Sequence, residues 1–519
     1  MDFDIAIVGS GFGGAFLAMI ARRLGRSVIM LEKGKHPRFA IGESSTPLSN
    51  LLVEELAIRY DLPKIAPLVE WGKVRRSYPE IACGLKRGFT FYHHDFDTPF
   101  VSHANHDNEL LIAASPCDEI ADTHWFRADF DHFFVREAIA AGAEYLDEVK
   151  LDRFAHTGNE VTLGGARHGK SVTIKTGFVV DATGPRGFLH HALGLREVEL
   201  PGYPATQTLF SHFSEVRRFE DLQPHQANAV PPYPADDAAV HHVFDGGWIW
   251  VLRFNNGITS AGVAATDALA RSLKLAEGTP AWQRLLDHMP ILRESFASAK
   301  AEREFTYAPR LSFRSGTIVG ERWALLPSAA GFVDPLLSTG FALTLLGVSR
   351  LAAIFESAWE SDRLPGLLQT YAEQTDSELL ATSRLVASLY ANMKHFPSFS
   401  ALTMLYFAAA SYSEAVRRLG RPELAGSYLL SSDPYYGAVL RSLCERAMHL
   451  ADKQRDDLPQ DIRRAIEPVN IGRFGDPALN NWYPVDSEDL IRAAGKLRAD
   501  TRDIHELLRK SGFPQLQSF

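Results

Sequence analysis

Ile5-Ala-Ile-Val-Gly9-Ser-Gly11-Phe-Gly13-Gly14, completed by Leu31-Glu32, opens the chain with almost nothing before it. Four apolar residues make a short buried strand, and three glycines follow in the G-x-G-x-x-G spacing. Ala15 to Arg23 reads as a helix. Gly9 permits a tight turn, Gly11 lets the backbone approach a pyrophosphate, and Gly14 lets helix and strand pack closely. The helix start offers unpaired N–H groups to phosphate. Ser27 to Leu31 reads as a second strand. Glu32 at its end, about 20 residues downstream, is placed to accept hydrogen bonds from a ribose diol. An acidic residue there favours an unphosphorylated adenosine ribose, hence FAD or NAD rather than NADP. Gly13 and Lys33 are expected on the same cofactor surface.

A chain of 519 residues exceeds one core, so about two or three domains are expected. The net charge of −9 argues against nucleic acid as a partner, because phosphate binding needs a basic stripe. Cys83, Cys117 and Cys444 are far apart and odd in number, which suits a reducing compartment and neither a disulfide frame nor a zinc site. The first apolar run is short and lacks a basic flank, so no signal peptide is expected. The nearest approach to a membrane span, Gly340 to Phe355, is broken by Arg350. A cytoplasmic protein with no membrane association is expected.

After Glu32 a loop runs through Gly42-Glu43-Ser44-Ser45-Thr46-Pro47 into a helix from about Leu48 to Arg59. Ser44 to Thr46 suit N-capping and equally suit an anion site. Residues 60 to 125 lack helical period and hold short strands at Gly88 to Tyr92 and Glu109 to Ala113. Arg127 starts a helix to about Ala141, with Asp129 and Asp131 as helix-start carboxylates and Arg127 in reach of the cofactor. Lys150 to Ile174 alternates as a small antiparallel meander. Gly177-Phe-Val-Val-Asp181-Ala-Thr-Gly184 reads as a strand returning to the first sheet, which brings Asp181 and Gly184 near the cofactor. A second, antiparallel sheet follows, with strands at Gln207 to Phe213, Ala239 to Phe244, Trp248 to Phe254 and Ile258 to Ala264. Trp323 to Leu326 leads into Pro327-Ser-Ala-Ala-Gly331-Phe-Val-Asp334-Pro335-Leu-Leu-Ser338-Thr339-Gly340 and a helix. Past residue 360 the period is helical almost throughout, as suits a lid or a dimer face. The paired histidines lack ligand spacing, and no metal is expected.

These pieces together resemble the flavin-dependent halogenases, within the FAD enzymes of hydroxylase-like fold. The resemblance runs from the N-terminus to about residue 350. It rests on the dinucleotide fingerprint, Gly42-Glu43-Ser44, the lysine in Cys83-Gly-Leu-Lys86-Arg-Gly-Phe89, Gly247-Trp248-Ile-Trp250, and Gly331-Phe-Val-Asp334-Pro335 with Ser338-Thr339-Gly340. The setting of the lysine is most similar to the branch acting on free phenolic compounds. Three departures stand out. The family pattern W-x-W-x-I-P here reads Trp248-Ile-Trp250-Val-Leu252-Arg253, so an arginine replaces the proline. Leu337 stands where the tryptophan halogenases carry a glutamate, which speaks against an indole and suits a phenol or pyrrole. Ser328 stands where related flavoproteins usually carry an aspartate.

The resemblance implies an α/β fold with a Rossmann-like FAD-binding domain over 1–190 and 300–355, interrupted by inserted segments near 62–125. An antiparallel-sheet substrate region is expected over 191–299 and a helical region over 356–519. It implies halogenation of an electron-rich aromatic by reduced flavin, oxygen and chloride or bromide, through hypohalous acid passed to Lys86. Without the resemblance Lys86 reads as an ordinary surface lysine. The backbone of Ser338, Thr339 and Gly340 is expected to bind halide and the flavin edge; the same residues also suit a plain N-cap. Trp248 and Trp250, two apart on a strand, face one side and are expected to wall off the flavin. Gly9, Gly11, Gly14, Glu32, Ser44, Arg127, Asp181, Gly184, Asp334 and Gly340 are expected at FAD. Reduced flavin is expected from a separate flavin reductase, and the aromatic substrate is free or carrier-tethered, on a monomer or homodimer. A hydroxylase on the same fold and a non-catalytic flavin-binding protein are the rival readings.

Overall fold

The structure is a computed structural model that describes residues 2–222, 230–450 and 457–513. The opening strand, Phe3–Val8, is buried over Ile5 to Val8 and pairs in parallel with Val28–Leu31 on one side and with Lys170–Asp181 on the other. Beyond Lys170–Asp181 lies Trp323–Leu325, also parallel. The helix Phe12–Arg23 follows directly on the glycines, as the spacing predicts. Sequence reading split the meander from the returning strand. In the structure Lys170–Asp181 is one strand: its first half pairs antiparallel with Glu160–Arg167 and its second half enters the parallel sheet.

The second sheet has nine strands and is wider than the expected 191–299 region. Thr206–Ser214, Thr259–Thr266, Gly247–Arg253 and Ala239–Phe244 form its antiparallel centre. It then recruits Gly88–His93 and Glu109–Ala113 from the segment near 62–125, and Trp482–Tyr483 from near the C-terminus. Two of these junctions, Ala239–Phe244 with Gly88–His93 and Trp482–Tyr483 with Glu109–Ala113, are parallel, so the sheet is mixed. The boundaries fail because strand partners come from segments more than a hundred residues apart, which local pattern does not record. The segment 60–125 also holds a short helix, Trp71–Ser77.

One apolar core runs from the first sheet through the long helices Thr339–Ala358, Leu364–Tyr390 and Phe396–Arg418. A separate core, with Phe213, Trp282 and Phe296, backs the second sheet. Leu336–Ala358 is long and apolar enough to cross a membrane; here 72% of its most apolar window is buried, against the helices Phe12–Arg23 and Pro47–Arg59. The C-terminal helices thus extend the main core.

Candidate active site

The glycine turn is a built cradle. Gly9 has φ +97°, and a Cβ there would lie 2.6 Å from the Ala182 carbonyl. A Cβ on Gly14 would press on the Gly9 carbonyl oxygen. The helix begins at Phe12 with Gly11, which has no side chain, as its N-cap; Asp131 Oδ1 takes the Phe12 amide, and the following amides of Gly13 and Gly14 are those placed for phosphate. Glu32 ends its strand as expected and is buried. Ser10 N, Ser10 Oγ and Arg38 Nη2 donate to Oε2, and Gly34 N donates to Oε1. Burial pushes this carboxyl up, but Arg38 and the backbone amides outweigh that and hold it below the usual range. Lys33 is exposed beside it.

Three expected cofactor residues do other work. Gly13 makes room for Thr344 of the facing helix. Asp181 is buried, and its carboxylate accepts from Thr183 N, Thr183 Oγ1 and Leu189 N, so it closes the turn that contains Gly184. Asp334 accepts from Leu336 N at 2.9 Å, Tyr203 Oη at 2.7 Å and Tyr390 Oη at 2.9 Å. Burial pushes both carboxyls up, and these donors oppose it.

A cavity of about 150 Å³ opens past the cradle. Gly42, Glu43, Ser44 and Arg127 line one side, Trp248, Trp250 and His241 another, and Ser328, Asp334, Pro335 and Ser338 to Gly340 a third. Arg127 is clamped by Asp131 through two bonds of 2.8 Å and donates to the carbonyls of Ile41 and Gly42. Asp131 also accepts from Phe12 N, so one ion pair ties this loop to the first helix. Ser44 Oγ is buried with no partner, which is what a ligand-facing hydroxyl leaves behind. Leu337 and Ser338 take left-handed φ of 64° and 53°, a strained pair that turns the chain sharply into Thr339–Ala358. Ser338 N already donates to Pro335 O, so this amide of the expected halide loop is taken.

Trp248 and Trp250 share a face, as their spacing requires, with ring centroids 5.7 Å apart. Trp248 Nε1 donates to Tyr390 Oη, which joins the wall to Asp334 and the C-terminal helices. His241, across the ladder from Trp250, stacks on Phe91 at 4.4 Å and donates toward Thr90 O. Burial drives it down to about 3, so it stays neutral. Arg253, unplaced by sequence, holds the carbonyls of Val216 and Arg217 and pairs with Asp236.

Lys86 is 0% exposed, against the default for a lysine. Its strand, Cys83–Lys86, docks on the end of the tryptophan strand: Cys83 N donates to Asn255 Oδ1, and a Cβ on Gly84 would strike the Arg253 carbonyl. The ammonium donates to Ser45 O and lies 3.9 Å above the Phe89 ring. Burial pulls it down from the usual lysine range, with Asp122 opposing. A second cavity of about 150 Å³ lies beyond, lined by Thr46, Phe89, Asp122, Tyr406, Phe407, Ile471, Phe474 and Leu507. Ser44 lines the first cavity and Thr46 the second, so Ser45, with Lys86 on its carbonyl, is the partition. Sequence reading missed Asp122, His241, Tyr390 and the Phe407 face; the only sequence signal was the aromatic density of Phe396 to Tyr412.

A family model described as tryptophan halogenase matches residues 122–397, more than half of the chain. Tetracycline 7-halogenase of Kitasatospora aureofaciens is 28% identical over 542 aligned positions, covering 98% of this chain and 95% of that one. The monodechloroaminopyrrolnitrin halogenase PrnC of Pseudomonas fluorescens is 26% identical over 485, covering 91% and 82%. Among solved structures, halogenase PltM in complex with phloroglucinol and FAD shares the fold, with a TM-score of 0.82 over 92% of this chain and 99% of that one at 24% identity.

Proposed function

The chain belongs to the tryptophan halogenase family and is a flavin-dependent halogenase that uses FAD and a halide, and on that premise we propose that its substrate is a free phenol-like aromatic held beyond Lys86. The observation that carries this reading is Lys86 itself, buried and donating to Ser45 O, whose chain neighbours Ser44 and Thr46 line one cavity each. The glycine cradle, Glu32 and the orphaned Ser44 hydroxyl fit FAD on the near side. FAD, when bound and reduced, supplies with oxygen the two-electron oxidation of halide to hypohalous acid.

The amides of Thr339 and Gly340 would hold the halide there, at a helix N-terminus. Trp248 and Trp250 keep an aromatic ring out of the first cavity. Lys86 then holds the small oxidant by hydrogen bonding and polarises its halogen toward the second cavity. Leu337 leaves the first cavity without the glutamate of the tryptophan halogenases, which favours a ring activated by its own hydroxyl. The second cavity is walled by four separate C-terminal segments, which suits a free small molecule better than one on a carrier protein. Reduced flavin would come from a separate reductase in the cytoplasm.

The test is a panel assay. The enzyme, a flavin reductase, NADH and chloride or bromide are incubated with phenols, free pyrroles and a carrier-bound pyrrole, and products are read by mass spectrometry. Halogenated phenols are expected. Product from the pyrroles alone, or from the carrier-bound ring alone, contradicts the reading.

A further inference from the structure

Asp122 stands directly across from Lys86 in the two-stranded ladder of Cys83–Lys86 with Asp122–Trp125. It is 6% exposed. Asn50 Nδ2 donates to Oδ1 at 2.7 Å and fixes the plane of the carboxylate. The other oxygen, Oδ2, is buried without a partner. Among the described residues Lys86 does not fill that need: its ammonium donates to Ser45 O and lies over the Phe89 ring, without a hydrogen bond or ion pair to Asp122. Buried acceptors are normally satisfied, and an unsatisfied one beside a cavity calls for a donor from what enters it. The cavity that Asp122 lines presents the aromatic rings of Phe89, Tyr406 and Phe407, with Glu414 and Arg418 also on its wall.

We propose that Asp122 recognises the substrate, accepting the O–H of a phenol in the second cavity and taking its proton as the ring is halogenated. This rests on the phenolic reading above. The step balances as follows. A ring carbon ortho or para to the hydroxyl attacks the halogen of hypohalous acid; the carbon–halogen bond forms and the oxygen–halogen bond breaks. The leaving hydroxide takes a proton from the Lys86 ammonium and becomes water. The phenol proton passes to Asp122, so the ring becomes a neutral dienone rather than a cation. Tautomerisation moves the ring C–H proton to oxygen and restores the phenol, and Asp122 returns its proton to Lys86. The net change is phenol plus hypohalous acid to halophenol plus water. Burial lowers the lysine and raises the carboxyl, Glu414 raising it further against Asn50 and Arg418, which narrows the gap between the two and eases the return of the proton from Asp122 to the Lys86 amine through the water just formed. The chain thus carries beside Lys86 the carboxylate it lacks at Leu337.

The test compares Asp122→Asn and Asp122→Ala holoenzymes with the wild type on phloroglucinol and on 1,3,5-trimethoxybenzene, which lacks the O–H. Bromide, a flavin reductase and NADH are supplied, and FAD content and circular dichroism check the fold. The wild type is expected to favour the phenol in kcat/KM, and either variant to lose that preference by about 100-fold. Calorimetric binding of phloroglucinol to the oxidised holoenzyme should weaken by about 10-fold in the variants. Equal losses on both compounds, the mark of a residue that merely supports Lys86, overturn the proposal, as does an undiminished preference. A wild type that halogenates pyrroles but not phloroglucinol defeats the phenolic reading itself; a wild type active on phloroglucinol with preference intact in both variants defeats only the role of Asp122.

Discussion

The two cavities on either side of Lys86 are alike in size and unlike in construction. The first is walled on two sides by tight loops, Gly42 to Ser44 and the Gly331 to Gly340 turn with its helix start, held by Arg127–Asp131 and by Asp334, and on a third by the Trp248–Trp250 face. The second is walled by side chains from elements far apart in sequence, among them Tyr406, Phe407, Phe474 and Leu507. A surface of backbone amides and tight glycines has little freedom to change without losing its ligand. A surface of side chains can be re-cut one residue at a time. The difference supports the proposal that cofactor chemistry belongs to the first cavity and substrate choice to the second.

Substitution in the first cavity's cradle should do the most damage. Gly14→Ala puts a Cβ against the Gly9 carbonyl, a backbone atom that cannot swing away. It should cost about 3 kcal/mol or more and yield protein without FAD, read by thermal unfolding and by flavin absorbance. An FAD-loaded Gly14→Ala protein of normal stability would break the contrast. Phe407→Leu should act on the other side. It should cost about 1–2 kcal/mol, leave FAD bound and change KM for the aromatic several-fold, measured by steady-state kinetics. A change in flavin retention instead would show that the cavities are not separable.

The smallest effect belongs to a region outside both. His94 and His242 share a 3.0 Å hydrogen bond behind the second sheet. Burial drives His94 down to about 3 and His242 also down. Their folded values lie below the unfolded value near 6.5, so the unfolded chain binds the extra protons and stability falls as pH drops below 6.5. His94→Asn should flatten the pH dependence of urea unfolding by up to about 1.4 kcal/mol per pH unit between pH 6 and 5. Asp122, raised by burial, runs in the opposite direction but is common to both proteins. An identical slope would mean that His94 titrates normally.

The same contrast explains what sequence could show. Gly9, Gly14, Glu32, Trp248 and Trp250 were legible because a turn, a strand end and a two-residue period are local facts. Lys86 was legible by its motif, while its burial depends on Ser45, forty-one positions away. Asp122 and the Phe407 face had no local signature, since both gain meaning only when Cys83–Lys86 and Phe396–Arg418 meet. Asp181 and Asp334 were legible only in part: an acid near a glycine turn looks the same in sequence whether it faces a ligand or, as both do here, accepts the amides of its own loop.

Lys86→Met keeps the unbranched apolar stem of the side chain, one atom shorter, and removes the amine. The decisive measurement is made on this variant with reductase, NADH and bromide present. It compares halogenated phenol with hypohalous acid captured by a diketone in solution. The account predicts that ring halogenation falls by about a thousandfold while captured oxidant persists and FAD stays bound. Halogenated phenol formed at close to the wild-type rate would contradict it.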